Sequence, residues 1–291
     1  MVECLSQETG INWTVYHGDC VDVLAQFPDA CFDQSIYSLP FVSLFTYSDS
    51  VADMGNCDSK DRFFQQYAFL CRNLFRTLKP GRSALVHCSD IPLKKGVDGE
   101  LGLYRFSDDI AQCHEDAGFI TDQRTVIWRC PVVEATRTKS VRLLQKQVRK
   151  DSSISATGMP DYLFKFRKPG ENASPIMQSL DQLPIETWRE WASPVWMEIR
   201  QTHVLGGWRD AKDQCDERHI CPLQLDTIRR AVLLWSNPVD VVLDPFGGIG
   251  STGHVALQEG RKYVGIELKE SYFRQQCANL AAVSDQARLA I

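Results

Sequence analysis

The apolar positions of the chain fall into runs of two periods. Trp13-Thr14-Val15-Tyr16, Phe32 to Tyr37, Ser83 to Val86, Thr125-Val126-Ile127-Trp128, Tyr162-Leu163-Phe164-Lys165-Phe166, Asp240 to Leu243 and Tyr263 to Glu267 are short and rich in β-branched and aromatic residues, as strands are. Between them Val21 to Phe27, Asp61 to Leu78, Phe106 to Ala117, Leu225 to Trp235, Thr252 to Glu259 and Ser271 to Ala282 carry helical spacing. In Asp61 to Leu78, the residues Phe64, Ala68, Leu70, Leu74, Phe75 and Leu78 share one helical face, and Lys79-Pro80-Gly81 reads as its stop. Strand and helix alternate, so the pattern predicts an α/β fold, Rossmann-like, with a mostly parallel sheet and helices on both faces. The segment from Leu225 onward reads as a βαβ unit at the C-terminal end.

Two segments interrupt the alternation. Arg129, Arg137, Lys139, Arg142, Lys146, Arg149 and Lys150 face a single acid, Glu134, between positions 129 and 150. From Pro169 to Arg218 the chain is rich in Pro, Asn, Ser and Trp, holding Trp188, Trp191, Trp196 and Trp208, and reads as a small irregular module of which at least two tryptophans form core. This divides the chain into 1–168, 169–218 and 219–291.

Composition narrows the classes. At 291 residues the chain can bury a full core, and its net charge of −5 excludes binding to polyanions through bulk charge while permitting a local basic patch. No apolar run approaches the ~18 residues of a membrane span, and the opening MVECLSQETGINW lacks the pattern of a signal peptide, so a cytoplasmic location is expected. The 11 cysteines, odd in number and scattered through apolar stretches, read as free thiols. Cys215, His219 and Cys221 are the one dense Cys/His group and lack a fourth ligand nearby, so no metal site is expected. His87, His114 and His254 read as ordinary core or surface residues.

The most informative stretch is Val241 to Gly253. Gly248, Gly250 and Gly253 satisfy G-x-G-x-x-G between a strand and a helix, and Glu267 ends the next strand where a carboxylate can accept ribose hydroxyls. A tight turn without any ligand satisfies the same glycine pattern. Asp244-Pro245-Phe246, placed before the glycines, sharpens the reading: an acid there repels a pyrophosphate and suits a cation. The turn therefore favours S-adenosylmethionine over a nicotinamide dinucleotide.

Ser38-Leu39-Pro40-Phe41 closes another apolar strand, the end at which α/β sheets place their chemistry. Here the chain resembles the exocyclic-amino DNA methyltransferases (adenine N6 or cytosine N4) in the permuted β-class order, most nearly the solitary phage or prophage type. That family carries Asp/Asn/Ser-Pro-Pro-aromatic in its N-terminal half, then a recognition region, then Asp-Pro-Phe-x-Gly-x-Gly. The corresponding segments are Ser38 to Phe41, the 132–218 region and Asp244 to Gly250, with Gly18-Asp19-Cys20, Leu78 to Gly81, His219 to Gln224 and Gly265-Ile266-Glu267 in support.

The resemblance implies S-adenosylmethionine as cofactor and double-stranded DNA as partner, with room for a homodimer. It implies a catalytic turn of Ser38, Leu39, Pro40 and Phe41, in which the Ser38 hydroxyl and the Leu39 carbonyl accept from the target amine and Phe41 stacks on a flipped base. Asp19, Cys20, Asp244, Pro245, Phe246, Gly248, Gly250, Ser251, Glu267, His219 and Gln224 would hold the cofactor. The cations of 129–150 would contact phosphates, and 169–218 would serve recognition or dimer formation. Adenine N6 is favoured over cytosine N4 as acceptor. Leu39 departs from the family's proline, which leaves an inactive DNA-binding regulator as a second reading. On sequence alone, restoring proline at 39 is expected to keep or raise activity.

Overall fold

A computed structural model describes residues 2–39, 54, 57, 59–93, 95–138, 140–207 and 222–289. The N-terminal half runs β1 (Ser6–Gly10), β2 (Trp13–His17), α1 (Cys20–Ala25), β3 (Phe32–Ser38), α2 (Lys60–Thr77) and β4 (Leu78–Ser89). A small hairpin of β5 (Ile91–Leu93) and β6 (Gly102–Tyr104) brackets α3 (Lys95–Asp98) and leads to α4 (Phe106–Asp116) and β7 (Ile120–Ile127). The basic segment holds α5 (Pro131–Thr138) and α6 (Gln145–Lys150), and is followed by β8 (Asp161–Arg167), α7 (Ile185–Trp191) and β9 (Val195–Trp196). The chain closes with α8 (Leu225–Trp235), β10 (Val241–Asp244), α9 (Ser251–Gln258), β11 (Lys262–Glu267) and α10 (Glu270–Leu289).

Among the described residues nine strands form one sheet in the order β1-β2-β11-β10-β3-β4-β8-β7-β9. The centre from β2 to β4 is parallel, whereas β1 pairs antiparallel to β2 and β8 runs antiparallel to both β4 and β7. Neighbouring side chains of a strand point to opposite faces, and the core divides accordingly. Ile36, Leu85, Leu163 and Val242 pack under α8, α9 and α10, together with Ile228, Val255 and Leu280. Tyr37, Ala84, Val86, Phe164, Phe166 and Leu243 pack on the other face against Leu24, Leu70, Leu74 and Ile110 of α1, α2 and α4.

Several boundaries differ from the sequence reading for identifiable reasons. The buried stripe of α2 runs through Phe63, Tyr67, Leu70, Cys71 and Leu74, leaving Phe64, Ala68 and Phe75 on its flanks. The stripe is rotated because Tyr67 is buried: its hydroxyl lies 2.9 Å from that of Tyr37 inside the core. The helix stops at Thr77, before Lys79-Pro80-Gly81, and the next strand begins at once at Leu78 rather than at Ser83, with Gly81 at φ +73° and its N–H donating to the Lys168 carbonyl.

The tryptophan segment is likewise not wholly separate. Val195 and Trp196 pair in parallel with Val126 and Ile127 as the outermost strand, and Trp196 is fully buried in the main core, its indole donating to the Trp191 carbonyl at 3.0 Å. The start of the segment is fastened by Arg82, which is 1% exposed and donates to Asp240 at 2.7 Å, to Asn172 and to the Ser174 carbonyl. Among the described residues no helix is long and apolar enough to cross a membrane.

Candidate active site

The parallel pairing of β10 with β3, and of β3 with β4, sets the C-terminal ends of three strands side by side. Val242 and Leu243 lie opposite Gln34 and Ser35, so Asp244 and Ser38, more than two hundred positions apart, end adjacent strands. Thr252 in the first turn of α9 reaches back to the Ile36 carbonyl at 3.4 Å. Strand order reverses here, since β4 follows β3 on one side and β11 follows β10 on the other, and such a crevice is where open α/β sheets bind ligands.

The glycine turn is built on backbone conformation. Gly248 and Gly250 have φ of +53° and +92°, and Gly250 is the N-cap of α9. A Cβ on Gly247 would lie 2.5 Å from the amide of Gln276, a fully buried α10 residue beneath the turn. Asp244 is 3% exposed and accepts from the Phe246 N–H at 3.0 Å. Burial raises its pKa to about 7 against the opposing hydrogen bonds from Thr252 and Phe246. Pro245 is buried, and Phe246 packs against Tyr37 with ring centroids 5.7 Å apart. Ser251 is buried as the first residue of α9.

Glu267, at the end of β11, accepts from Gly248 N–H at 2.7 Å and from Lys269 N–H at 2.8 Å. Asp19 caps α1 by accepting from Val21 and Asp22, and burial raises its pKa. The Cys20 thiol beside it is pushed well above its ordinary value by burial and by Asp19. Gln224 is the N-cap of α8, and its Oε1 is buried without a hydrogen-bond partner among the described residues. The next residue, Leu225, packs against a cluster of Leu205, Tyr272 and Ile249, the last from the glycine turn.

The second half of the site is Ser38 and Leu39. Ser38 Oγ lies 3.1 Å from Nδ1 of His87, and His87 Nε2 lies 3.3 Å from Asp161 Oδ2. His87, expected to be an ordinary core residue, therefore stands at the site. Leu39 is 3% exposed within the core, and its N–H donates to the His87 carbonyl at 3.4 Å. Pro40, Phe41 and His219 lie outside the described residues, as do Lys139, Trp208, Cys215 and Cys221.

A profile of the N6/N4 DNA methylase family matches residues 34–278. The chain belongs to this family. The DNA adenine methyltransferase YhdJ of Escherichia coli K12 is 44% identical over 57 residues, 20% of this chain and 19% of that protein. The first curated relatives are matched over only 19% to 33% of their own lengths. Among solved structures, the DNA modification methylase TTHA0409 of Thermus thermophilus, complexed with S-adenosyl-L-methionine, superposes with a TM-score of 0.67 at 22% identity, covering 92% of this chain and 95% of that one. The cytosine-N4-specific PvuII DNA methyltransferase gives a TM-score of 0.66 at 17% identity over 94% and 90%. At these identities the likeness is one of fold, a mostly parallel mixed sheet flanked by helices.

The methylase cofactor fits the residues present. The bare glycine turn leaves backbone for a nucleoside to approach, and the Glu267 carboxylate beside it presents oxygens of the kind that accept from ribose hydroxyls. Gln224 Oε1 would supply a further acceptor, and Asp244 would supply a carboxyl for a cationic tail.

The basic segment divides in two. Arg129 is turned inward, donating to Asp161 at 2.7 Å with Nε 3.8 Å from Glu134, so it is not free to meet phosphate. Arg142 donates to the Ile154 and Gly102 carbonyls and fastens the segment to β6. Lys146, Arg149 and Lys150 of α6 are exposed. The side chain of Arg137 lies outside the described residues. Sequence reasoning counted cations correctly but had no means of finding Asp161, which engages Arg129 from the start of β8.

Proposed function

We propose that this chain transfers a methyl group from S-adenosylmethionine to an exocyclic amine of a base in double-stranded DNA, with adenine N6 favoured over cytosine N4. The observation that carries the reading is the parallel β10–β3–β4 alignment, which ends the glycine turn and the Ser38 turn on neighbouring strands. The preference for adenine is supported by the likeness to YhdJ, named as an adenine methyltransferase.

A base amine has its lone pair delocalised into the ring and attacks poorly. The Ser38 hydroxyl and the Leu39 carbonyl, accepting from its two N–H bonds, favour a pyramidal nitrogen with an available lone pair. The target base is flipped from the duplex to reach them. When bound, the cofactor supplies an electrophilic sulfonium methyl. Asp244, Glu267, Gln224 and the glycine turn hold it, so that positioning supplies much of the rate. Exposed Lys146, Arg149 and Lys150 serve as phosphate contacts. The 169–218 segment serves recognition or dimer formation, a role supported by exposed apolar side chains there, including Met177, Leu180 and Trp188.

The test is transfer of labelled methyl groups to unmethylated DNA, with the modified base identified by nuclease digestion and chromatography. N6-methyladenine is expected from wild type and none from Ser38→Ala. N4-methylcytosine would replace the adenine assignment, and no product under conditions where the cofactor binds would favour a DNA-binding regulator.

A further inference from the structure

Ser38 can serve as acceptor for an amine only if its own proton is directed elsewhere, because a serine hydroxyl donates and accepts with equal ease. Its neighbour across the parallel ladder is His87, 7% exposed, with Nδ1 at 3.1 Å from Ser38 Oγ. The other ring nitrogen, Nε2, lies 3.3 Å from Asp161 Oδ2, an ion-pair distance although off the axis of a hydrogen bond. Asp161 is 1% exposed and takes Arg129 on its second oxygen at 2.7 Å, and Glu134 stands behind Arg129 at 3.8 Å. The ring thus meets Ser38 from β3 and Asp161 from β8, with Arg129 and Glu134 beyond. A carboxylate beside Nε2 favours the tautomer that carries its proton there, which leaves Nδ1 as an acceptor.

We propose that His87, backed by Asp161 and Arg129, is the positioning residue that fixes Ser38 as an acceptor and receives the proton leaving the target amine. This rests on the reading of Ser38 as the residue that meets the amine. With the hydroxyl hydrogen held on Nδ1, the free lone pairs of Oγ face the substrate. As the amine lone pair forms the bond to the sulfonium methyl carbon, the broken carbon–sulfur bond leaves its electron pair on sulfur as a thioether. The amine proton passes to Ser38 Oγ while the hydroxyl proton passes to Nδ1, and the resulting imidazolium faces the Asp161 carboxylate.

Two measurements test this. In the free protein, nitrogen-15 resonances of the His87 ring should show an unprotonated, hydrogen-bonded Nδ1 that shifts in Ser38→Ala, and a protonated Nε2. A protonated Nδ1 would overturn the proposal whether or not DNA is methylated. In methyl transfer, His87→Asn keeps a polar group near Nδ1 but cannot take up a proton. It should lower kcat by about 10²–10⁴-fold and leave cofactor KM unchanged. A wild-type kcat in that variant, or an equal loss expressed in cofactor KM, would equally overturn it. Wild type with the expected tautomer but no transfer would instead refute the proposed function and leave the hydroxyl-orienting role of His87 standing.

Discussion

Asp244 offers a quantitative test, because its carboxyl is buried where only a cation would compensate it. Its folded pKa is raised by desolvation from 3.8 to about 7. The folded state therefore binds more protons than the unfolded state between those values, so stability is greatest below about pH 4 and is lost as pH rises toward 7. At 1.36 kcal/mol per unit, a shift of about three units amounts to roughly 4 kcal/mol by pH 8. Asp244→Asn keeps the shape and the acceptor for Phe246 N–H but cannot ionise. The free variant should match wild type near pH 4 and exceed it at pH 8. With about 2.1 cal/mol/K of unfolding entropy per residue, the gap is about 6 °C in Tm. Scanning calorimetry across that range reads it directly. Cofactor affinity should move oppositely: if the ionised carboxylate is the binding form, wild-type Kd rises about tenfold from pH 8 to pH 6, whereas the variant binds weakly at both. A Tm gap that does not widen with pH would refute the burial argument, and equal cofactor affinity of the two proteins would remove Asp244 from the site.

Gly250→Ala places a side chain at φ +92° with its Cβ 3.0 Å from Gln276 Cγ. It should cost about 1–3 kcal/mol of stability and weaken cofactor binding; an unchanged Tm and Kd would show the turn to be slack. Replacing Lys146, Arg149 and Lys150 by alanine should weaken binding to target and non-target duplexes alike and flatten the slope of log K against log[salt] by roughly 0.9 per lost contact. An unchanged slope would put α6 off the DNA. Leu39→Pro, which sequence alone predicts to be benign, is expected from the structure to lower stability and kcat together, since it removes a buried side chain and the N–H that meets the His87 carbonyl. Wild-type urea midpoint and kcat in this variant would overturn that account.

The elements written in local periodicity were legible from the sequence. Leu225–Trp235 was bounded to the residue, and Val241 to Glu267 emerged as strand, turn, helix and strand, because apolar spacing and glycine placement are properties of neighbouring residues. The same local signals singled out Asp244, Gly250 and Glu267, whereas the permuted order of the two motifs came from the family resemblance. What they could not carry was lateral arrangement. The edge strands Ser6–Gly10 and Val195–Trp196 carry too little apolar pattern to stand out, and the second exists because β7 offers it a hydrogen-bonding edge. The inward turn of Arg129 required Asp161, thirty-two positions on, to be delivered by the antiparallel run of β8 beside β7. His87 looked unremarkable in its apolar strand until the register Ser38↔His87 placed its ring against the serine hydroxyl. Strand register is fixed by which faces can be buried together across the whole sheet, and no single segment contains that information.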